Sequence, residues 1–369
     1  MVSITQPKAV SRFTSLLAVA TMALCSARAE VPRGVFSLGA ADKTVNESAL
    51  VNPDITGVSI RAGWANLEPT EGVFNWSFLD SEVARATAAG KQVILRIATQ
   101  AGKPAWVTDA IQRAGGVFFT FDDSGVMTTI PVFWDPTYLA KKKAMIAAVG
   151  AHFTNNLTVK VVSASFANAT SEDWNVPHGP TEIPDWFAAG YSTEKMLDAG
   201  KQIIDATMAA FPNQYVTMAI GGNGHTGGTG NLDPTANYVA SEAIANARAT
   251  WPGRMIAQIN SFGTFNTPAP GEEDSALNLL WNSQPDVGGQ MVYWCVDDLT
   301  YRVNRNVPMD PALALTLSIN KAASYGTKFL EIYQKDVINL PAIITYGRNV
   351  LNGPAPTPTP SPTATPTPT

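Results

Sequence analysis

Glu331 stands in the middle of Phe329-Leu330-Glu331-Ile332-Tyr333, an otherwise apolar run that reads as a β-strand. A carboxylate in such a place is costly unless it faces a polar site or is paired with a cation. It is therefore either a reactive group at a ligand site or half of an interior ion pair with Arg61 or Arg96. Glu172, in Ser171-Glu172-Asp173-Trp174, is the second candidate; its alternative is a solvated loop acid beside Asp173. Two carboxyl groups brought together divide acid and base work, one delivering a proton while the other attacks or activates water.

The chain alternates short apolar runs with helical patterns along its length, the signature of a parallel sheet built from βα units. Strands are predicted near Gly34–Leu38, Gly57–Arg61, Gln92–Ile97, Val159–Ala167, Tyr215–Ile220, Met255–Ile259, Gly289–Cys295 and Lys328–Tyr333. Eight such units in about 320 residues fit one α/β domain, a (β/α)8 TIM barrel with loop insertions. Helices are predicted at Asp80–Ala89, Pro136–Phe153, Thr193–Phe211, Ala236–Thr250, Ser275–Trp281, Pro311–Ser324 and Pro341–Leu351. Asp135-Pro136 and Asp310-Pro311 mark two helix starts, a capping carboxylate before a proline at the first helical position. Between the third and fourth strands, residues 102–135 carry Trp106, Phe118, Phe119, Phe121, Phe133 and Trp134, as a lid or as a packed excursion.

In a barrel of this kind the loops after the C-terminal strand ends form the ligand site. That places Arg61 and Trp64 after the second strand, Asn168, Glu172, Trp174 and His178 after the fourth, and Asn223 and His225 after the fifth. Asn260 follows the sixth strand, Trp294 with Asp297 and Asp298 the seventh, and Tyr333 and Asp336 the eighth. Flat rings stack on the C–H faces of sugars while amides and acids bond their hydroxyls, so this mixture suits a carbohydrate. Trp64, Trp174 and Trp294 are either sugar platforms or packing over the barrel top. Glu68, in Glu68-Pro69, braces the loop after the second strand.

The stretch Arg61-Ala62-Gly63-Trp64 through Leu67-Glu68-Pro69, Gly72-Val73-Phe74-Asn75-Trp76 and Leu79-Asp80, followed by Gly90-Lys91-Gln92-Val93-Ile94-Leu95-Arg96 and Pro104-Ala105-Trp106, resembles the second and third β/α units of the clan that contains the family 42 β-galactosidases. Pro131 to Tyr138 is similar to the same barrels. The resemblance implies hydrolysis of O-glycosidic bonds by two carboxyl groups. Members of the clan place the acid in an Asn-Glu pair at the end of the fourth strand and the nucleophilic glutamate at the end of the seventh. Here Asn168 is followed by Ala169, and the seventh strand, Gly289 to Trp294, has no glutamate. The substitutes are Glu331 as nucleophile or base and Glu172 as acid. Other readings are a carbohydrate-binding barrel that has lost the catalytic pair, and a surface-tethered scaffold.

Residues 1–29 read as an export signal: Lys8 and Arg12, the apolar run Leu16 to Leu24, and Ala27-Arg28-Ala29 as a cleavage site. Cys25 allows a lipoprotein reading, but Leu24 is a poor residue before a lipidated cysteine, so cleavage after Ala29 and a secreted or periplasmic destination are expected. The domain then spans 30–353 and keeps one cysteine, Cys295, so no intrachain disulfide forms. Residues 354–369, proline and threonine alternating with little else, read as a solvated stalk that tethers a module or surface, either a natural spacer or the edge of a truncation.

Loss of Lys8, Arg12 and Arg28 takes the net charge from −5 to −8, which opposes nucleic-acid binding. No later segment is apolar enough for a transmembrane helix. Gly222-Asn223-Gly224-His225-Thr226-Gly227 spells G-x-G-x-x-G, but it continues into Gly228-Thr229-Gly230 rather than opening a helix, so no dinucleotide cofactor is expected. His152, His178 and His225 lack the spacing of a zinc site, and no G-x-S-x-G elbow occurs.

Overall fold

The computed structural model describes residues 30–99, 102–123, 126–164, 182–220 and 233–353. In chain order its strands are β1 (Gly34–Leu38), β2 (Gly57–Gly63), β3 (Gln92–Ala98), β4 (Phe118–Asp123), β5 (Val126–Pro131), β6 (Val159–Ser163), β7 (Tyr215–Ile220), β8 (Met255–Phe262), β9 (Val287–Met291) and β10 (Phe329–Tyr333). Eight of these close into a parallel barrel in the order β1-β10-β9-β8-β7-β6-β3-β2, while β4 and β5 pair as a separate antiparallel hairpin. The expected (β/α)8 barrel is the observed architecture.

Strand alternation divides the core in two. In β10, Leu330 and Ile332 join the large cluster between sheet and helices, while Phe329 joins a small one with Val31, Phe36, Ile94, Val161, Tyr215 and Ile256. Apart from Val31, which precedes β1, these residues come from the barrel strands and fill the lower barrel interior. Large rings fit there because two neighbouring positions lack side chains. A Cβ on Gly57 would lie 2.4 Å from the Phe36 ring, and one on Gly288 2.4 Å from the Phe329 ring.

The helices start where their caps say they should. Asp135 Oδ1 accepts from Tyr138 N at 2.8 Å at the head of Pro136–Phe153, and Asp310 Oδ1 from Leu313 N at 2.9 Å at the head of Pro311–Ser324. Two expectations are corrected. The seventh barrel strand is Val287–Met291 rather than Gly289–Cys295, because glycine, a poor strand former, is here what the neighbouring Phe329 and Phe262 rings require. The aromatic insertion is not a plain loop: it contains the helix Ala105–Arg113 and the β4–β5 hairpin. Its rings close on Trp186, which is fully buried, with Phe119, Phe133 and Trp134 at centroid distances of 4.9, 5.4 and 5.2 Å. Trp186 comes from the helix Glu182–Ala188, which the sequence reading left out.

Candidate functional site at the barrel mouth

One layer above the rings the barrel interior turns polar. Ser59, Arg96, Thr217, Gln258 and Glu331 project inward from β2, β3, β7, β8 and β10, and none is more than 1% exposed. Glu331 sits two residues beyond Phe329 on the same face of β10. Its carboxylate accepts from Arg96 Nε at 3.1 Å, from Arg96 Nη2, from Ser59 Oγ, and from Gln258 Nε2 at 2.6 Å. Gln258 also donates to Asn260 Oδ1 at 2.7 Å and accepts from Thr217 Oγ1 at 2.9 Å. Because an ionised carboxylate only accepts, Glu331 orients the amide of Gln258, and through it the side chain of Asn260 at the rim.

Glu331 is offered by the sequence as a nucleophile or base, with an interior ion pair as the alternative. It has no accessible surface, and donors occupy both its oxygens. The alternative of an interior ion pair is the observed state, with Arg96 as the cation.

The rim above this layer carries Arg61, Asn260, Trp294 and Tyr333, all partly exposed. Tyr293 and Trp294 stack at 3.7 Å and pack against Tyr333 at 6.2 and 5.8 Å. The stack continues into cations: Arg302 lies 5.0 Å from the Tyr293 ring and Lys335 Nζ 5.6 Å from the Trp294 ring. Trp64 is not part of this surface. It is fully buried, donates from Nε1 to Glu68 Oε2 at 2.7 Å and meets Trp106 edge-on, so in place of a sugar platform it is packing. Glu68 also accepts from Gly72 N at 2.8 Å, which makes it the brace of the loop after β2.

Three further acids at the mouth have their own bonds. Asp336 is buried and accepts from Cys295 N at 2.9 and 2.8 Å and Val296 N at 2.9 Å, tying the backbone just after Trp294 to the end of β10. Burial pushes its carboxyl up to about 6, against the pull of those N–H groups and of Lys335. Burial, reinforced by Asp336 and Asp298, pushes the Cys295 thiol up as well, so it is not a nucleophile. Asp298 accepts from Val303 N at 3.0 Å and Thr300 Oγ1 at 2.9 Å, and Asp297 pairs with Lys335 at 3.0 Å.

The sequence reading missed Asp42, which joins the loops after β1 and β2 by accepting from Gly63 N at 3.0 Å and Asn66 Nδ2 at 2.8 Å. The only local signal was its place shortly after β1. Glu172, Asn168, Trp174, His178, Asn223 and His225 lie outside the described residues, as do Gly222 to Gly227. His152 is a surface residue, stacked on Trp76 at 4.1 Å and bonded to Asp80 Oδ1 at 2.7 Å.

A closed (β/α)8 barrel carries its ligand sites at the C-terminal rim, and the same barrel serves many chemistries. The family model Glyco_hydro_42, described as Beta-galactosidase, matches residues 46–165, the part of the chain running from the entry to β2 past β6. That segment contains the Arg61–Trp106 stretch on which the resemblance rests. No curated protein matches the chain by sequence. Among solved structures it is similar to the catalytic domain of a β-amylase from Paenibacillus polymyxa, at 10% identity and a TM-score of 0.57, covering 84% of this chain and 95% of that one. It is also similar to a cold-adapted β-galactosidase from Rahnella sp. R3, at 12% identity and a TM-score of 0.52, covering 88% of this chain and 57% of that one. At these identities the likeness establishes the fold. Among the described residues no helix is long and apolar enough to cross a membrane.

Proposed function

We propose that this chain is an exported carbohydrate-active barrel that hydrolyses O-glycosidic bonds in a polysaccharide or oligosaccharide. The observation that carries the reading is the rim itself: the stack of Tyr293, Trp294 and Tyr333 shares the strand-end rim with Asn260 and Arg61, on a barrel whose segment 46–165 matches a β-galactosidase family model. In this reading Glu172 supplies the acid. Glu331 acts from beneath the site, its charge holding Arg96 and its acceptor oxygen turning Gln258 toward Asn260. Export rests on the leader-like residues 1–29, and tethering on the stalk at 354–369.

A second reading, a glycan-binding barrel without turnover, is favoured by one observation: the carboxylate of Glu331 is enclosed and fully bonded. Incubating the exported chain with a panel of glycans and aryl glycosides, and measuring released reducing ends together with binding, separates the two. Product release supports hydrolysis. Saturable binding without product selects the second reading, and the absence of both product and binding excludes both.

A further inference from the structure

The segment that follows β9 holds an unusual backbone. Asp297, Tyr301, Arg305 and Asn306 have φ of 57°, 50°, 45° and 67°, which are four of the six positive-φ residues other than glycine among the described residues. Such conformations cost free energy at each position and persist only where surrounding structure enforces them, which is common where a loop has a ligand to meet. The enforcing bonds are visible. Asp298 holds Val303 N, the Tyr301 carbonyl accepts from Asn306 N at 3.0 Å, and Thr264 N and Oγ1 both donate to the Val303 carbonyl at 2.9 Å.

What this backbone presents is a pair of arginines. Arg302 lies over the ring of Tyr293 at 5.0 Å, and Arg305 over the ring of Phe265 at 4.5 Å. Both residues are exposed, and among the described residues neither forms an ion pair or donates a hydrogen bond to the protein. A guanidinium that rests one face on an aromatic ring is held in place while its N–H groups, which lie in its own plane, still point outward. That arrangement fits the two oxygens of a carboxylate or a sulfate. Tyr293 belongs to the stack with Trp294 and Tyr333, so the first of these forks stands on the aromatic rim of the mouth.

We propose that Arg302 and Arg305 form an anion-recognition edge, and that the glycan taken by this barrel carries acidic groups, as uronate carboxylates or sulfate esters. This deepens the glycan reading above and rests on it. The chain's net negative charge makes the choice selective, because a polyanion gains nothing from the surface as a whole and must be drawn by these local cations.

The test uses matched pairs on the exported chain by titration calorimetry: polygalacturonate against its carboxyl-reduced galactan, and a sulfated galactan against its desulfated product. The acidic member of at least one pair should bind ten-fold or more tightly at 50 mM salt, and the advantage should shrink at 500 mM. Which pair shows it identifies the acidic group. In R302Q/R305Q the advantage should disappear with an unchanged melting temperature. R302K/R305K, which keeps the charge without the fork, should fall between the two. Equal binding of acidic and neutral members, or an advantage that survives in R302Q/R305Q, overturns the proposal. If aryl glycosides are cleaved or neutral glycans bound while acidic ones are refused, only this inference fails; if no glycan is bound or cleaved, the glycan reading falls with it.

Discussion

Arg96 Nε donates to Glu331 Oε1 at 3.1 Å between two side chains that are both fully enclosed, so a whole ion pair lies inside the barrel one layer below its mouth. Attraction inside the barrel offsets the cost of stripping water from both charges only while both are present. Glu331→Gln removes one charge of this pair and should cost roughly 3–5 kcal/mol in urea unfolding. Adding Arg96→Met to that variant should recover a large part of the loss. A single variant as stable as the parent would mean that water or another acid already balances Arg96.

The lower interior is a packing problem instead. Alanine at Gly288 would put a methyl group 2.4 Å from the Phe329 ring, with Val287 and Gly289 in the strand leaving little room to shift. Gly288→Ala should cost about 1–3 kcal/mol by overpacking, and Phe329→Leu on the same chain should cancel some of that cost rather than add to it. Simple additivity of the two changes in denaturation midpoints would show that ring and glycine do not meet.

Asp336 makes stability depend on pH. Its carboxyl is raised to about 6 in the folded chain against 3.8 for the ordinary group, so the folded state holds this proton more tightly than the unfolded state does. The contribution of Asp336 is thus most favourable at pH below the unfolded value and is lost as pH climbs through about 6. Comparing unfolding free energies of the parent and Asp336→Asn at several pH values between 4 and 7, the parent should lose ground to the variant by at most about 3 kcal/mol as pH rises. Parallel curves would place the titration elsewhere.

Two tryptophans at the top of the barrel should behave oppositely. Trp64→Phe removes the donor from buried Glu68 and should lower stability by about 1–3 kcal/mol with glycan affinity unchanged. Trp294→Ala, in the partly exposed stack with Tyr293, should weaken glycan binding about ten-fold or more while moving the melting temperature less than Trp64→Phe does. Reversed ratios in calorimetry and melting would exchange the two roles.

Most of the barrel could be read from the chain because each strand signals itself locally. The apolar runs at Gly34–Leu38 and Tyr215–Ile220 and the proline-led helices at Pro136 and Pro311 occupy the residues expected of them. The hairpin β4–β5 escaped notice although Phe118-Phe119-Thr120-Phe121 and Thr128-Thr129-Ile130 are β-prone runs separated in the sequence by Ser-Gly. Its aromatic content fitted a lid or a packed excursion alike, and the distant Trp186 makes those rings a core of their own.

The run Phe329-Leu330-Glu331-Ile332-Tyr333 by itself determined that its carboxylate shares a face with Phe329 and Tyr333 and needs a partner or a ligand, because a lone charge in an apolar strand is costly. Tertiary structure alone decided which. Depth along the barrel axis and the identity of the facing side chains depend on strand stagger, and that stagger set Arg96, Ser59 and Gln258 around Glu331 while lifting Tyr333 and Asn260 to the rim. The sequence offered Arg61 and Arg96 alike as partners for Glu331, and the choice of Arg96, 235 residues away, is made only when the barrel closes and brings their strands together.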